Sequence, residues 1–233
     1  LFEIFKNNNE IRKKSWSHTP QNSVSGYYFN DIHKIVEFIN LQRYIQLHLF
    51  LPTFKTNVDI ILNKQNWDLL KKENIYIFSL VRDPIDYLIS FYNFFKFNYI
   101  KKKTLSVSKK IINIIEKSKN FYDFIEYDIV HNGQCKYLLN RYLDKNITFK
   151  DIKIIFDAID KKIIYFGITN EYNNIIKYLN NILNENILEK NTKINISKKK
   201  YIERKDLSKK TINYLKKRNE LDYMLFHKIK NSL

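Results

Sequence analysis

The chain has 233 residues, 44% of them apolar and 15% aromatic, and carries 41 Lys and Arg against 24 Asp and Glu for a net charge of +17. That is enough apolar material for one packed domain over residues 1–233, and with only 3 Gly and 3 Pro no stretch reads as an interdomain linker. The single cysteine, Cys135, excludes an internal disulfide and favours a cytoplasmic location, and no apolar run reaches the roughly 18 residues that a membrane-spanning helix needs. The positive charge suits a polyanionic partner, whether nucleic acid, acidic lipid, acidic polysaccharide or a nucleotide, and does not choose among them.

Residues 1–6 read as one or two helical turns with Leu1, Phe2 and Phe5 inward. Residues 7–25 are polar and form a loop that includes Arg12, Lys13, Lys14, Trp16 and His18. Residues 31–40 carry Ile32, Ile35, Val36 and Ile39 at helical spacing, with His33 at the boundary of that face. Residues 44–51, closed by Pro52, read as a strand with His48 near its end. Two readings compete for His48: a histidine satisfied beside the core, or a general base, since imidazole titrates near neutrality. Residues 59–73 look helical and lead into a run of β-branched and aromatic residues from Ile75 to Val81, too continuous for a half-exposed strand and suited to a buried parallel sheet.

Arg82 stands where that strand ends. Asp83 can cap the following helix, Pro84 fits its first position, and Asp86 adds negative charge to its first turn. In open α/β sheets ligands lie outside the carboxyl ends of the strands, where Arg82 is placed. Ser90 follows roughly 10 Å along the helix at about 1.5 Å per residue, so one phosphate can meet both side chains. The competing reading makes Arg82 a surface ion-pair residue and Ser90 a helix-face hydroxyl.

The strand, Arg82-Asp-Pro84, Ser90 and the aromatic cluster after it together resemble the 3′-phosphate-binding segment of sulfotransferases that use 3′-phosphoadenosine 5′-phosphosulfate (PAPS), most closely the carbohydrate sulfotransferases. That family usually reads Arg-Asp-Pro-x-x-Arg-x-x-Ser; here Tyr87 replaces the second arginine, which removes a charge and an internal ion pair. The resemblance implies a P-loop NTPase-like three-layer α/β fold, with a central parallel sheet flanked by helices. It further implies that a phosphosulfate-binding loop precedes Leu1, so that the chain is N-terminally truncated. His48 lies in the order in which the family places its histidine, although without the usual glycine.

Further along, residues 107–118 form an amphipathic helix with Ile111, Ile112, Ile114 and Ile115 inward, and residues 121–127 continue it. Asn132-Gly-Gln134 is similar to the family's Asn-x-Gln segment, which implies acceptor or cofactor positioning by Asn132 and Gln134; a loop turning on Gly133 explains it equally well. Residues 162–169 are a buried strand, and the helix that follows is opened by Thr169 or Asn170, with Glu171 holding its start. Asn195-Ile-Ser-Lys-Lys199 resembles a cofactor-side loop, which implies that Ser197, Lys198 and Lys199 reach the 3′-phosphate or an acidic acceptor; the alternative is a solvated charge run. Residues 208–233 are helical, with a break near Asn219, and Glu220-Leu-Asp222 is similar to the family's closing acidic pattern.

The five histidines and one cysteine make no zinc spacing, and neither a Gly-x-Ser-x-Gly elbow nor a Gly-x-Gly-x-x-Gly loop occurs. The resemblance therefore implies metal-free transfer of a sulfuryl group from PAPS to a hydroxyl or amine of a carbohydrate or other acceptor, with His48 as base and Arg82 and Ser90 on the 3′-phosphate. Two other classes stay open: a P-loop kinase-like transferase, and a basic nucleic-acid-binding module, although no specific nucleic-acid partner is expected. A Golgi lumenal location would require a membrane anchor upstream of Leu1.

Overall fold

The computed structural model describes residues 2–5, 33, 44–45, 61–73, 75–100, 109–139, 141, 146–171, 174, 177, 181 and 200–232. His48, Ser197, Lys198 and Lys199 lie outside the described residues. The protein is mixed α/β and mostly helical, and divides into two compact units: residues 1–81 with 153–187 and 233, and residues 82–152 with 188–232.

In the first unit, strands β1 (Phe2–Phe5), β2 (Tyr44–Ile45), β3 (Tyr76–Val81) and β4 (Ile164–Ile168) form one sheet in the order β2-β1-β3-β4. β3 and β4 are parallel, in register from Ile77 opposite Ile164 to Val81 opposite Ile168, whereas β1 runs antiparallel to both β2 and β3. The sheet is therefore mixed, with one parallel pair among the described residues, where the sequence suggests a central parallel sheet. β1 also replaces the helical turns expected at residues 1–6. An apolar run that short has no period by which to separate helix from strand, and pairing on both edges satisfies its backbone. β3 agrees with its apolar continuity: Ile77, Phe78, Ser79 and Val81 are buried, and Leu80 is exposed. Phe78 and Tyr165, directly opposite across the parallel pair, stack with centroids 5.3 Å apart.

The helix expected over residues 59–73 is interrupted at Asn63. Its side chain accepts the Gln65 N–H at 3.1 Å and so starts a 3-10 turn, Lys64–Asn66, ahead of α1 (Trp67–Lys72). Trp67 is buried and donates its indole N–H to the Ile61 carbonyl at 3.0 Å. His33 is helical and exposed.

The second unit is built on α2 (Pro84–Ile100), whose Ile85, Leu88, Ile89, Tyr92 and Phe95 recur at helical spacing and are buried. Against them pack Ile111, Ile114 and Ile115 of α3 (Lys109–Lys117) and Phe121 and Phe124 of α4 (Phe121–Phe124). α3 and α4 are separate elements and not the continuous helix expected: the Ser118 hydroxyl turns back to the Ile114 carbonyl at 2.6 Å, and Asn120 caps a new helix through the N–H groups of Tyr122 and Asp123. Then come α5 (Gly133–Leu138) and α6 (Phe149–Asp160), neither of which the sequence reading predicts as a helix. α6 buries Ile152, Ile155 and Ala158 and leads the chain back into the first unit, where Asp157 pairs with Lys64 at 2.5 Å.

α6 ends in a Schellman turn: the Lys162 N–H bonds the Ile159 carbonyl and the Ile163 N–H that of Ala158, with Lys162 left-handed at φ 55°. α7 (Lys209–Arg218) and α8 (Glu220–Lys230) complete the second unit, broken at Asn219 where the sequence places the break. Among the described residues no helix is long and apolar enough to cross a membrane, and no cluster of His, Cys, Asp and Glu could hold a metal ion.

Candidate functional site

The second unit holds Arg82, Ser90, Asn132 and Gln134, and the geometry around Arg82 starts from the cap of α2. Asp83 Oδ1 accepts the N–H of Ile85 at 2.9 Å and of Asp86 at 3.3 Å, the capping role its sequence position predicts. Arg204 donates to both acids, reaching Asp83 at 2.7 Å and Asp86 at 3.0 Å. The two carboxylates beside Arg82 are thereby engaged by a different arginine, brought in from residues 200–206.

Arg82 has no acidic partner among the described residues, and its Nε is buried without a hydrogen-bond partner there. Its backbone is held firmly. Gln134 Oε1 accepts the Arg82 N–H at 2.8 Å, and Gln134 Nε2 donates to the Arg82 carbonyl at 2.9 Å. One side-chain amide thus pairs with both polar groups of residue 82, as a neighbouring strand would. Gln134 is itself buried in the first turn of α5.

α5 is anchored in turn by Asp222 of α8. The carboxylate accepts the Gln134 N–H at 3.1 Å and the Cys135 N–H at 2.8 Å, two of the donors that a helix start leaves unpaired. Burial holds the Asp222 carboxyl above the usual carboxylate range, while these two bonds pull the other way. Burial, reinforced by the Asp222 charge, also pushes the Cys135 thiol and the Tyr87 hydroxyl well up, so neither ionises near neutrality.

Asn132 returns the favour to α8. It is left-handed, at φ 52° and ψ 38°, and its Oδ1 accepts the N–H groups of Leu221 at 3.0 Å and Asp222 at 3.2 Å. Its Nδ2 donates to the Arg218 carbonyl at 3.2 Å. The turn before α5 is therefore made by Asn132, a residue that tolerates positive φ, and Gly133 serves a different need. A Cβ on Gly133 would stand 2.7 Å from Tyr87 Cε1, so glycine here gives room to the tyrosine ring.

Two further contacts fix the surroundings. Asn93, buried on α2, accepts the N–H groups of Tyr201 and Ile202 and donates to the Ile202 carbonyl at 2.9 Å, which holds the start of residues 200–206 in place. His131, also buried, bonds the Ile125 carbonyl through Nε2 at 2.7 Å and Asn219 Nδ2 through Nδ1 at 3.1 Å. Burial pushes its imidazole down to about 4, so it is neutral at pH 7, with the proton on Nε2 and Nδ1 accepting.

The site residues singled out by sequence thus fall into distinct places. Gln134 is joined directly to Arg82. Asn132 has its side chain committed to the start of α8, and Ser90 is half-buried on α2, about 9 Å along the axis from Pro84 by helix rise. Asp222 and Arg204 complete the surroundings of Arg82 and were not singled out as site residues. Asp222 carries a weak signal in Glu220-Leu-Asp222, whereas nothing local marks Arg204. Comparison with protein-family models, with curated proteins and with solved structures finds no match to this chain.

Proposed function

We propose that this chain is a sulfotransferase that moves a sulfuryl group from PAPS to a hydroxyl or amine of a carbohydrate or similar acceptor, on a P-loop-type α/β fold. The observation that carries the proposal is the state of Arg82: a guanidinium with no acidic partner among the described residues and a buried Nε that lacks an acceptor, on a backbone clamped in place. Such a group fits a phosphate oxygen, which supplies both the missing acceptor and the missing negative charge. Its motif, Arg82-Asp-Pro84 with Ser90, is the one that resembles a 3′-phosphate site. Arg204 supports the same reading, because it occupies Asp83 and Asp86 and so keeps those carboxylates from competing for Arg82.

In this reading Arg82 and Ser90 bind the 3′-phosphate by charge-assisted hydrogen bonds, and Ser197, Lys198 and Lys199 add positive charge around the nucleotide. His48 accepts the acceptor's proton as the new bond to sulfur forms and the bond from sulfur to the phosphate-bridging oxygen breaks. PAPS supplies the activated sulfuryl group. Calorimetric titration with 3′-phosphoadenosine 5′-phosphate tests the assignment. Arg82→Ala is expected to lower affinity at least about tenfold with the circular dichroism spectrum unchanged, and unchanged affinity would overturn it.

A further inference from the structure

We infer that Gln134 is the positioning residue for Arg82: its side-chain amide fixes the peptide of the phosphate-binding arginine and thereby sets where the guanidinium points. This inference rests on the nucleotide reading above. It follows from the pairing at residue 82. Arg82 lies beyond the last residue of β3 and before the first residue of α2, outside both elements. Both of its backbone groups are instead bonded by Gln134, the N–H at 2.8 Å and the carbonyl at 2.9 Å.

An arginine side chain has four rotatable bonds, and its reach toward a ligand is set first by its backbone. A primary amide matches a peptide group in carrying one acceptor and one donor side by side, which neither a carboxylate nor an apolar side chain offers. The clamp has its own support. Asp222 takes the Gln134 and Cys135 N–H groups, so the first turn of α5 cannot shift without breaking buried bonds. The hydrogen bonds between Gln134 and Arg82 run to the Arg82 backbone and use both Oε1 and Nε2 of the side chain. Through these bonds it acts on a phosphate by way of Arg82.

Calorimetry on the 233-residue chain separates this role from a purely structural one, with 3′-phosphoadenosine 5′-phosphate and adenosine 5′-phosphate as the two ligands. The wild type is expected to prefer the first, because only it carries the 3′-phosphate. Gln134→Leu, matched in size, is expected to lower affinity for the 3′-phosphorylated ligand by about tenfold or more, leave that for adenosine 5′-phosphate unchanged, and add nothing to Arg82→Ala in the double variant. Should Gln134→Leu fail to fold, Gln134→Glu serves in its place. It keeps an oxygen for the Arg82 N–H, and its ionised carboxyl cannot donate to the carbonyl, so an intermediate loss of the same preference is expected.

If the wild type prefers the 3′-phosphorylated ligand and the variant keeps that preference in full, the positioning role is overturned and the nucleotide reading stands. Equal losses for both ligands, or losses that add to those of Arg82→Ala, overturn it as well. A wild type that binds the two ligands equally overturns the nucleotide reading and this inference with it.

Discussion

Replacing Asp222 by alanine removes one carboxylate on which two buried N–H groups depend, those of Gln134 and Cys135. Loss of a helix cap costs about 0.5–2 kcal/mol when water can replace it. Here Gln134 and Cys135 are buried, so each orphaned donor adds a penalty of about 1–3 kcal/mol. Part of this is offset, because burying a carboxylate is itself unfavourable, as the raised pKa of Asp222 shows. The net loss expected for Asp222→Ala is about 2–4 kcal/mol, and for Asp222→Asn, which keeps one carbonyl acceptor, about half of that. At about 2–4 °C per kcal/mol for a chain of this size, Asp222→Ala should melt roughly 5–15 °C below wild type, read by circular dichroism and checked by urea midpoints. A melting temperature within about 2 °C of wild type would refute the capping role and remove the support argued for Gln134.

Two other expectations concern residues away from Arg82. His131 has an ordinary value of 6.5 and about 4 in the fold, so between these pH values the unfolded chain binds a proton that the folded chain does not. Stability from this group is therefore complete above about pH 6.5 and falls as pH drops toward 4, by up to about 3 kcal/mol. Urea midpoints from neutral pH downward should show that slope in wild type and a shallower one in His131→Gln, whereas parallel profiles would contradict it. Lys162→Gly should raise stability by about 0.5–1 kcal/mol, because glycine fills the left-handed position of the Schellman turn without the penalty of a Cβ; a lowered urea midpoint would count against that turn geometry.

What could be read from the sequence was local. Ile75 to Val81 announced a buried strand through a nearly continuous apolar and aromatic run, Asp83 and Pro84 announced the start of α2, and the spacing of Ile111, Ile114 and Ile115 announced α3. The break at Asn219 was visible for the same reason. Contacts at long range were not. Asp222 meets Gln134 across 88 positions, Arg204 meets Asp83 across 121, and Asn93 meets Ile202 across 109, with no neighbour in sequence to advertise them. β1 was missed because its apolar run is too short to show a period, and its strand state depends on partners more than 35 positions away. Asn132 and Gln134 stood out by resemblance. Their places, at a helix start and on the Arg82 backbone, became evident only once α5 and α8 lay side by side.

The exchange of caps between α5 and α8 has a consequence for the order in which the chain can acquire structure. Asn132 completes the start of α8 and Asp222 completes the start of α5, so neither helix start has its native cap while the other is unformed. Contacts so far apart in sequence form late, because the intervening loop must be closed before they return any free energy. Asp222 follows Gln134 by 88 positions, so during synthesis the native cap of α5 is complete only once Asp222 has been made. The clamp on the Arg82 backbone needs Gln134, 52 positions further on, and its buried support needs Asp222, so a nascent chain displays the Arg-Asp-Pro motif before it possesses the full set of contacts around it.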